Sequence, residues 1–218
     1  NTVKTINPAT GQVIREFDTI SDQQLQDKIE KTHEAFLDWK QRSFDERGKL
    51  IRKVGELLVE NQDRLSKLIT EEMGKPISQA PGELKLCKGI CDYSADNAST
   101  FLADEERDLP GGRALVSHQP IGVIFGIQPW NFPFYQVIRY TIANLMAGNT
   151  VLLKHAPNVW GCAEALEDIF REAGMPENVF NVLYIQEDQA SQVTEHPRVR
   201  GVTFTGSAAT GRKIASAA

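Results

Sequence analysis

The sequence predicts an α/β fold, in which amino-terminal helices and a short extended arm lead into a parallel sheet. Apolar residues repeat at helical spacing before residue 112, and short β-rich runs alternate with helical stretches after Pro120. With 218 residues, of which 41% are hydrophobic, the chain is long enough for one substantial core. We expect three parts: a helical part over 1–112, an extended arm over 113–119 and an α/β core over 120–218.

Capping boxes mark the starts of the first two helices. Ser21 is followed three residues later by Gln24, and Ser43 is followed in the same way by Glu46. The apolar spacing after Ser21 predicts a first helix over about 22–41.

The helical pattern after Ser43 continues until Gly74-Lys75-Pro76 stops it, and the cluster Asn61-Gln62-Asp63 should divide it in two. A further helix contains Leu84 and Phe101 and should end near Leu109-Pro110-Gly111-Gly112. The arm that follows looks extended.

Four β-rich runs are predicted as strands: Val123–Ile127, Thr150–Lys154, Val179–Tyr184 and Val199–Thr205. Helical stretches follow them near 134–147, 160–173, 187–195 and 206–218. Such alternation implies a parallel sheet that is covered on both faces, with ligands at the carboxyl ends of its strands. We therefore expect the chemistry of this protein just after each strand.

Composition argues against several kinds of partner. The formal net charge is −5 and the basic residues are dispersed, so we expect no nucleic-acid partner. No run approaches the roughly 18 apolar residues of a membrane span, so we expect no membrane partner. Three cysteines without a secretory leader predict a reducing cytoplasm. Cys87 and Cys91 have no His or further Cys nearby, so no metal site is predicted.

A loop bracketed by two prolines, Pro129-Trp130-Asn131-Phe132-Pro133, follows the first predicted strand. Proline fixes its own φ angle and restricts the preceding residue, so Asn131 has little backbone freedom. A side-chain amide held in this way can donate a hydrogen bond to an oxyanion. The alternative is a connector with two buried aromatic residues.

Two further candidates lie at the ends of other strands. Lys154 closes the second strand, although a lysine there can simply reach solvent. Gly206 and Ser207 stand at a strand-to-helix junction, where free N–H groups and the helix dipole attract a phosphate. The spacing from Gly206 to Gly211 is neither the dinucleotide fingerprint nor a P-loop, so a helix opened by glycine is the alternative.

Together these segments resemble the aldehyde dehydrogenase superfamily. The matching motifs are Pro129-Trp130-Asn131-Phe132-Pro133, Gly148-Asn149-Thr150 leading to Lys154, and Phe204-Thr205-Gly206-Ser207 leading to Gly211. Two amino-terminal phrases, Asn7-Pro8-Ala9-Thr10-Gly11 and Glu72-Met73-Gly74-Lys75-Pro76, also look like those of the family. The resemblance therefore covers nearly the whole chain.

The resemblance implies a Rossmann-like domain and the oxidation of an aldehyde with NAD or NADP, through a cysteine thiohemiacetal. It implies that Asn131 donates to the oxyanion, Trp130 lines the cofactor path and Lys154 binds the adenosine ribose. The cofactor-binding candidates are Ile127, Pro129, Trp130, Asn131, Lys154, His155, Ala156, Pro157, Gly206, Ser207 and Gly211. The full-length enzyme is expected to be a homo-oligomer, a dimer or tetramer.

Two departures from the family pattern change the expectations. A glutamate that takes the ribose hydroxyls often follows the lysine by three residues, but Pro157 stands here, which favours NADP or both cofactors. The nucleophilic cysteine and general-base glutamate of the family lie after the Gly-Ser helix, in which this chain ends at Ala218. Cys162 is expected to be a packing residue. We therefore expect an amino-terminal part that is inactive alone.

The motifs look most like the succinate-semialdehyde branch of the family, in which an arginine eight residues beyond the asparagine meets the substrate carboxylate. Arg139 stands there and shares a helix face with Tyr135. The alternative for Arg139 is a surface residue of an amphipathic helix. For the whole chain, the rival functions are a non-catalytic dinucleotide-binding module and an assembly fragment whose arm pairs with a partner sheet.

Overall fold

The computed structural model describes residues 1–218 and contains eight strands and eight α-helices. The strands are β1 (Thr2–Ile6), β2 (Val13–Asp18), β3 (Glu105–Leu109), β4 (Gly112–Val116), β5 (Val123–Gln128), β6 (Thr150–His155), β7 (Phe180–Val182) and β8 (Val199–Phe204). The helices are α1 (Asp22–Trp39), α2 (Phe44–Glu60), α3 (Gln62–Met73), α4 (Ala80–Phe101), α5 (Tyr135–Ala147), α6 (Trp160–Glu172), α7 (Glu187–Thr194) and α8 (Ala208–Ala217). A single 3₁₀ turn covers Pro157–Val159.

The four strands after Pro120 form one parallel sheet in the order β7-β6-β5-β8. The chain builds the sheet outward from β5 through β6 to β7, and then crosses back to place β8 on the other side of β5. This reversal of strand order is the switch point at which ligands bind in Rossmann-like sheets. The predicted Rossmann-like parallel sheet is confirmed.

Both faces of the sheet are covered, as the continuous apolar runs predicted. Val151 and Leu153 of β6 face the larger core, which they share with α2 to α6. Leu152, between them, faces a smaller core with Val123 and Phe125 of β5 and apolar residues of α1 and α7. Alternate residues of a strand point to opposite faces, so one short strand supports two helical layers.

The capping boxes predicted at Ser21 and Ser43 are both present. At the first, Gln24 N–H donates to Ser21 Oγ at 3.2 Å while Ser21 N–H donates to Gln24 Oε1 at 2.8 Å. The predicted break at Asn61 separates α2 from α3, and Gly74 ends α3 with a φ of 78°. No helix has both the length and the apolar composition that a membrane span requires.

The prediction of a helical part and an extended arm was incomplete, because the strands β1, β2 and β3 were not predicted. β1 pairs with β2, and β3 pairs with β4, in two antiparallel hairpins. The helix expected to continue to about residue 110 ends at Phe101, and the expected arm is half of the β3–β4 hairpin. All residues of β3 are exposed and four of the five are charged, so the strand has no apolar face that periodicity could reveal.

Gly126, in the middle of β5, lies where the ring of Tyr140 packs against the strand. A Cβ atom on Gly126 would overlap that ring. We expect Gly126→Ala to lower the free energy of unfolding by about 1–3 kcal/mol, the usual penalty of overpacking a core. The matched control is Gly89→Ala in α4, where a Cβ meets nothing within 4 Å and helix propensity should add up to about 1 kcal/mol. Urea unfolding of both variants checks the pair, and equal midpoints would contradict the packing account.

Candidate functional site

The segments that follow β5, β6 and β8 meet at one edge of the sheet. Ala156 N–H donates to the Gln128 carbonyl at 3.1 Å, and Thr205 N–H donates to the Ile127 carbonyl at 3.2 Å. The end of β5 is therefore held between the first residues of the other two loops. The sequence candidates after these three strands are brought together, as the parallel sheet predicts.

A cavity of about 240 Å³ opens at this edge between α7 and α8. It is lined by Ile127, Lys154, Glu187, Ala190, Ser191, Thr194, Thr210, Lys213, Ile214 and Ala217. Only the first two were predicted, since nothing in the local sequence ties α7 and α8 to Lys154. Pockets that enclose drug-sized ligands measure about 300–1,000 Å³, so this one has room for one end of a dinucleotide.

Lys154 is the buried cation of the cavity. It is 7% exposed, so it does not reach solvent as the alternative supposed. Its ammonium group has no salt-bridge partner in the chain, and burial lowers its pKa, while Glu187 in the same cavity opposes that shift. A buried cation without a partner is unfavourable unless a ligand supplies oxygen acceptors. Hydroxyl and phosphate oxygens are the groups that this cavity can accept.

The turn from β8 into α8 fits a phosphate. Ser207 caps the helix by accepting from Thr210 N–H at 3.2 Å, and the first two N–H groups of α8 have no acceptor within the chain. A Cβ atom on Gly206 would overlap the end of the Phe204 ring as it stands, so a larger residue would require that ring to move. Gly211 lies one turn further along α8. Free N–H groups at the positive end of a helix dipole attract anions.

Asn131 presents its amide at the surface beside this edge. Its side chain makes no hydrogen bond within the chain. The flanking aromatic residues, Trp130 and Phe132, are 49% and 42% exposed, so the loop is not the connector with two buried aromatics that was the alternative. An exposed, unengaged amide is available to a ligand.

Two buried charged residues hold the other end of that loop. Glu83 of α4 accepts hydrogen bonds through Oε1 from Phe134 N–H at 2.8 Å and from Tyr135 N–H at 3.1 Å. Its second oxygen pairs with Lys75, whose ammonium lies 3.8 Å from the centroid of the Phe132 ring. Glu83 was not among the predicted residues, because its contacts join segments that are distant in sequence.

A second buried carboxylate acts in the same way on α6. Glu72 accepts from Gly161 N–H and Cys162 N–H, both at 2.9 Å. Burial raises its pKa, and the two N–H groups oppose that shift. A Cβ atom on Gly161 would overlap the carboxylate, so the glycine is needed for the contact. The phrase Glu72-Met73-Gly74-Lys75-Pro76 therefore supplies contacts to both α6 and the Asn131 loop.

The ring of His155 is fully buried, and it contacts the Asn131 loop and does not line the cavity. Nε2 lies 2.8 Å from the Pro133 carbonyl, and Nδ1 lies 3.3 Å from the Gln128 carbonyl, so the tautomer of the neutral ring decides which carbonyl receives its proton. Burial lowers the pKa of this imidazole to about 4. The cofactor contact predicted for His155 can therefore involve only its main chain. Pro157, exposed on the following 3₁₀ turn, does not line the cavity.

Arg139 reaches the same edge of the sheet from α5. Its guanidinium lies 5.5 Å from the centroid of the Tyr135 ring, as the shared helix face predicted. It also donates to Gln136 Oε1 and to Thr205 Oγ1, each at 3.4 Å. These bonds are long, so most of the hydrogen-bonding capacity of the guanidinium is available to an anion.

The sequence model described as "Aldehyde dehydrogenase family" matches residues 1–218. The chain belongs to the aldehyde dehydrogenase family. The resemblance noted in its motifs is thereby confirmed.

Several family members share the fold and much of the sequence. The succinate-semialdehyde dehydrogenase [NADP(+)] of Deinococcus radiodurans is 40% identical over 214 residues, which are 98% of this chain and 45% of that protein. The succinate semialdehyde dehydrogenase [NAD(P)+] of Escherichia coli is 35% identical over 98% of this chain and 46% of that protein. The crystal structure of succinic semialdehyde dehydrogenase from Streptococcus pyogenes with NADP+ superposes with a TM-score of 0.95, at 36% identity, over 99% of this chain and 48% of that one. The chain thus spans about half the length of the relatives it matches.

The buried imidazole of His155 predicts a pH-dependent stability. Its folded pKa of about 4 lies below the ordinary histidine pKa of 6.5, so the unfolded chain takes up the proton first as the pH falls. The contribution is complete above pH 6.5 and is lost between pH 6.5 and pH 4. Relative to His155→Gln, we expect the wild-type protein to lose about 2 kcal/mol of unfolding free energy between pH 7 and pH 5. Urea unfolding at the two pH values measures the difference, and parallel pH profiles would contradict it.

Proposed function

We propose that the full-length protein containing this chain oxidises succinate semialdehyde to the dicarboxylic acid, with NADP or NAD as the cofactor. One observation carries the proposal: a buried, unpartnered lysine faces a cavity at the switch point of the sheet, and the unengaged amide of Asn131 lies in the loop that follows the neighbouring strand β5. The names of the Deinococcus radiodurans and Escherichia coli relatives support the substrate and the cofactor.

The residues at the sheet edge fit a dinucleotide. Ile127 and the small and apolar residues of α7 and α8 would hold the adenosine, Lys154 its ribose, and the turn at Gly206 and Ser207 the pyrophosphate. Pro129 and Trp130 would border the remainder of the cofactor. When bound, the nicotinamide supplies a hydride acceptor.

The cofactor preference depends on the charges around Lys154. Pro157, on the exposed turn that follows β6, stands where a carboxylate would repel a 2′-phosphate, and Lys213 adds a second cation to the cavity itself. Glu187, however, brings a carboxylate to the same cavity from α7. We infer that NADP is used at least as well as NAD, and that Glu187 preserves activity with NAD.

Cofactor selectivity tests this balance. Pro157→Glu should lower kcat/KM for NADP more than for NAD, whereas Glu187→Gln should raise the ratio of NADP to NAD activity. Both shifts follow from carboxylate repulsion of the 2′-phosphate. Steady-state kinetics with each cofactor measures the ratio in the three proteins. A strong NAD preference of the unmutated enzyme, or no response to either change, would contradict the assignment.

Asn131 would serve as the oxyanion donor of this reaction. As the aldehyde carbon becomes tetrahedral, its oxygen gains negative charge, and an amide N–H already in place stabilises that charge. The prolines on either side and the buried contacts of the loop hold the donor before the charge develops.

Removal of this amide should slow the chemical step. We expect Asn131→Ala to lower kcat by about 10²–10³-fold with little change in cofactor affinity, because the amide is needed only as charge develops. Asn97→Ala, which removes an exposed amide on α4, is the control and should keep full activity. Turnover at saturating substrate and a cofactor-binding titration make the comparison. A normal kcat for Asn131→Ala would contradict the oxyanion assignment and would leave the loop with a structural role only.

Arg139 would bind the carboxylate of succinate semialdehyde, with Tyr135 as an aromatic wall. Arg139→Ala should therefore raise KM for succinate semialdehyde by the equivalent of about 1.5–3 kcal/mol, the usual value of hydrogen bonds to a charged group. Butanal has the same four-carbon length without the carboxylate, and its KM should hardly change. Equal losses on the two aldehydes would show that Arg139 supports packing instead.

The nucleophile and the general base would come from sequence outside residues 1–218. Burial raises the pKa of all three thiols here, that of Cys91 to about 12, so none offers a thiolate at neutral pH. We therefore propose that this chain by itself does not turn over aldehyde. The exposed apolar residues of the β3–β4 hairpin, Leu109 and Leu115, fit an assembly arm in a dimeric or tetrameric enzyme.

A further inference from the structure

The position of the Asn131 amide depends entirely on its neighbours in the chain. Its own side chain makes no hydrogen bond, so nothing fixes it directly. On the amino-terminal side it is tied to the end of β5, where the Gln128 carbonyl accepts from Ala156 N–H. On the carboxyl-terminal side, the start of α5 sets its place.

That start of α5 has no cap of its own. Phe134 occupies the cap position and makes no side-chain capping bond. The cap comes instead from α4, because Glu83 Oε1 accepts from the first free N–H groups, those of Phe134 and Tyr135. A buried helix end needs such acceptors, so the direction in which the loop enters α5 follows the carboxylate.

Lys75 links the same carboxylate to the residue next to Asn131. It pairs with Glu83 in a buried contact, in which the two side chains are 8% and 1% exposed. Its ammonium also lies over the Phe132 ring, which is 42% exposed and whose aromatic neighbour is Tyr135, with the ring centroids 6.0 Å apart. One ion pair therefore contacts Phe132, Phe134 and Tyr135, while His155 Nε2 contacts the Pro133 carbonyl between them at 2.8 Å.

We infer that Lys75 and Glu83 are positioning residues for the proposed oxyanion donor. The inference rests on the proposed function of Asn131 and adds two residues that no motif of the active-site loop contains. The pair acts through the loop and touches neither aldehyde nor cofactor. Its removal should lower kcat because the amide is displaced, with the affinity for cofactor unchanged.

A double-mutant cycle in the full-length enzyme tests this inference. Lys75→Met is made in the wild type and in Asn131→Ala, and kcat is measured per folded molecule at saturating substrate and cofactor. We expect a loss of about 10- to 100-fold in the wild type and no further loss in Asn131→Ala, because the displaced group is already absent. Lys75→Arg, which keeps the charge, should restore most of the activity.

The matched control acts on the other end of the same helix. Arg47 donates through Nε to the Met146 carbonyl at 3.1 Å near the end of α5 and is also buried. Arg47→Met should lower the midpoint of urea unfolding without changing kcat per folded molecule. A similar loss of kcat in this control would mean that any strain on α5 suffices, which would overturn the role assigned to Lys75 and Glu83.

Two results separate failure of the inference from failure of the proposed function. If Asn131→Ala loses kcat but Lys75→Met lowers kcat equally in both backgrounds, the pair is only structural and the inference is wrong. If Asn131→Ala keeps a normal kcat, the proposed function of the amide fails and the inference fails with it. Should Lys75→Met not fold, the cycle is run with Glu83→Asp, which keeps the charge but shortens the reach to Phe134 and Tyr135, with the same expected outcomes.

Discussion

Two buried carboxylates connect the helical layer to the edge of the sheet that we propose as the cofactor site. Glu83 accepts the first N–H groups of α5, and Glu72 accepts those of α6. The two helices follow β5 and β6 directly, and neither has a side-chain cap of its own. Because a buried helix end cannot leave its N–H groups unpaired, the amino-terminal helices determine how both helices leave the sheet. The loops between each strand and its helix carry Asn131 and the residues after Lys154, so the geometry of the site depends on this capping.

The two groups that we propose to bind ligands, Lys154 and Asn131, are not part of that network. Lys154 is buried without a carboxylate partner, and the amide of Asn131 is exposed without an acceptor. Lys75, in contrast, is fully engaged by Glu83 and the Phe132 ring. Pairing stabilises a buried cation, so an unpaired one in a cavity is typical of a binding site. This difference between two buried lysines separates the residue that holds the structure from the residue that would hold the cofactor.

The sequence was sufficient wherever local chemistry decides the structure. The capping boxes at Ser21 and Ser43, the four parallel strands and the restricted loop at Asn131 were all readable from spacing and proline geometry. The β1–β2 and β3–β4 hairpins were missed because their strands are largely exposed and lack apolar alternation. Glu83, Glu187 and the buried orientation of His155 were missed for another reason, since their contacts join segments that only the folded sheet brings together. A sequence pattern indicates how a residue affects its neighbours along the chain, but it does not indicate which distant helix end the residue will cap.

The most direct test of the account is a crystal structure of the protein with NADP bound. The account predicts that the adenosine lies in the cavity between α7 and α8 and that Lys154 Nζ binds the ribose or its phosphate. It also predicts that the pyrophosphate meets the free N–H groups at the start of α8. A cofactor bound elsewhere on the protein, or a Lys154 that makes no contact with it, would contradict the central claim that this edge of the sheet is the cofactor site.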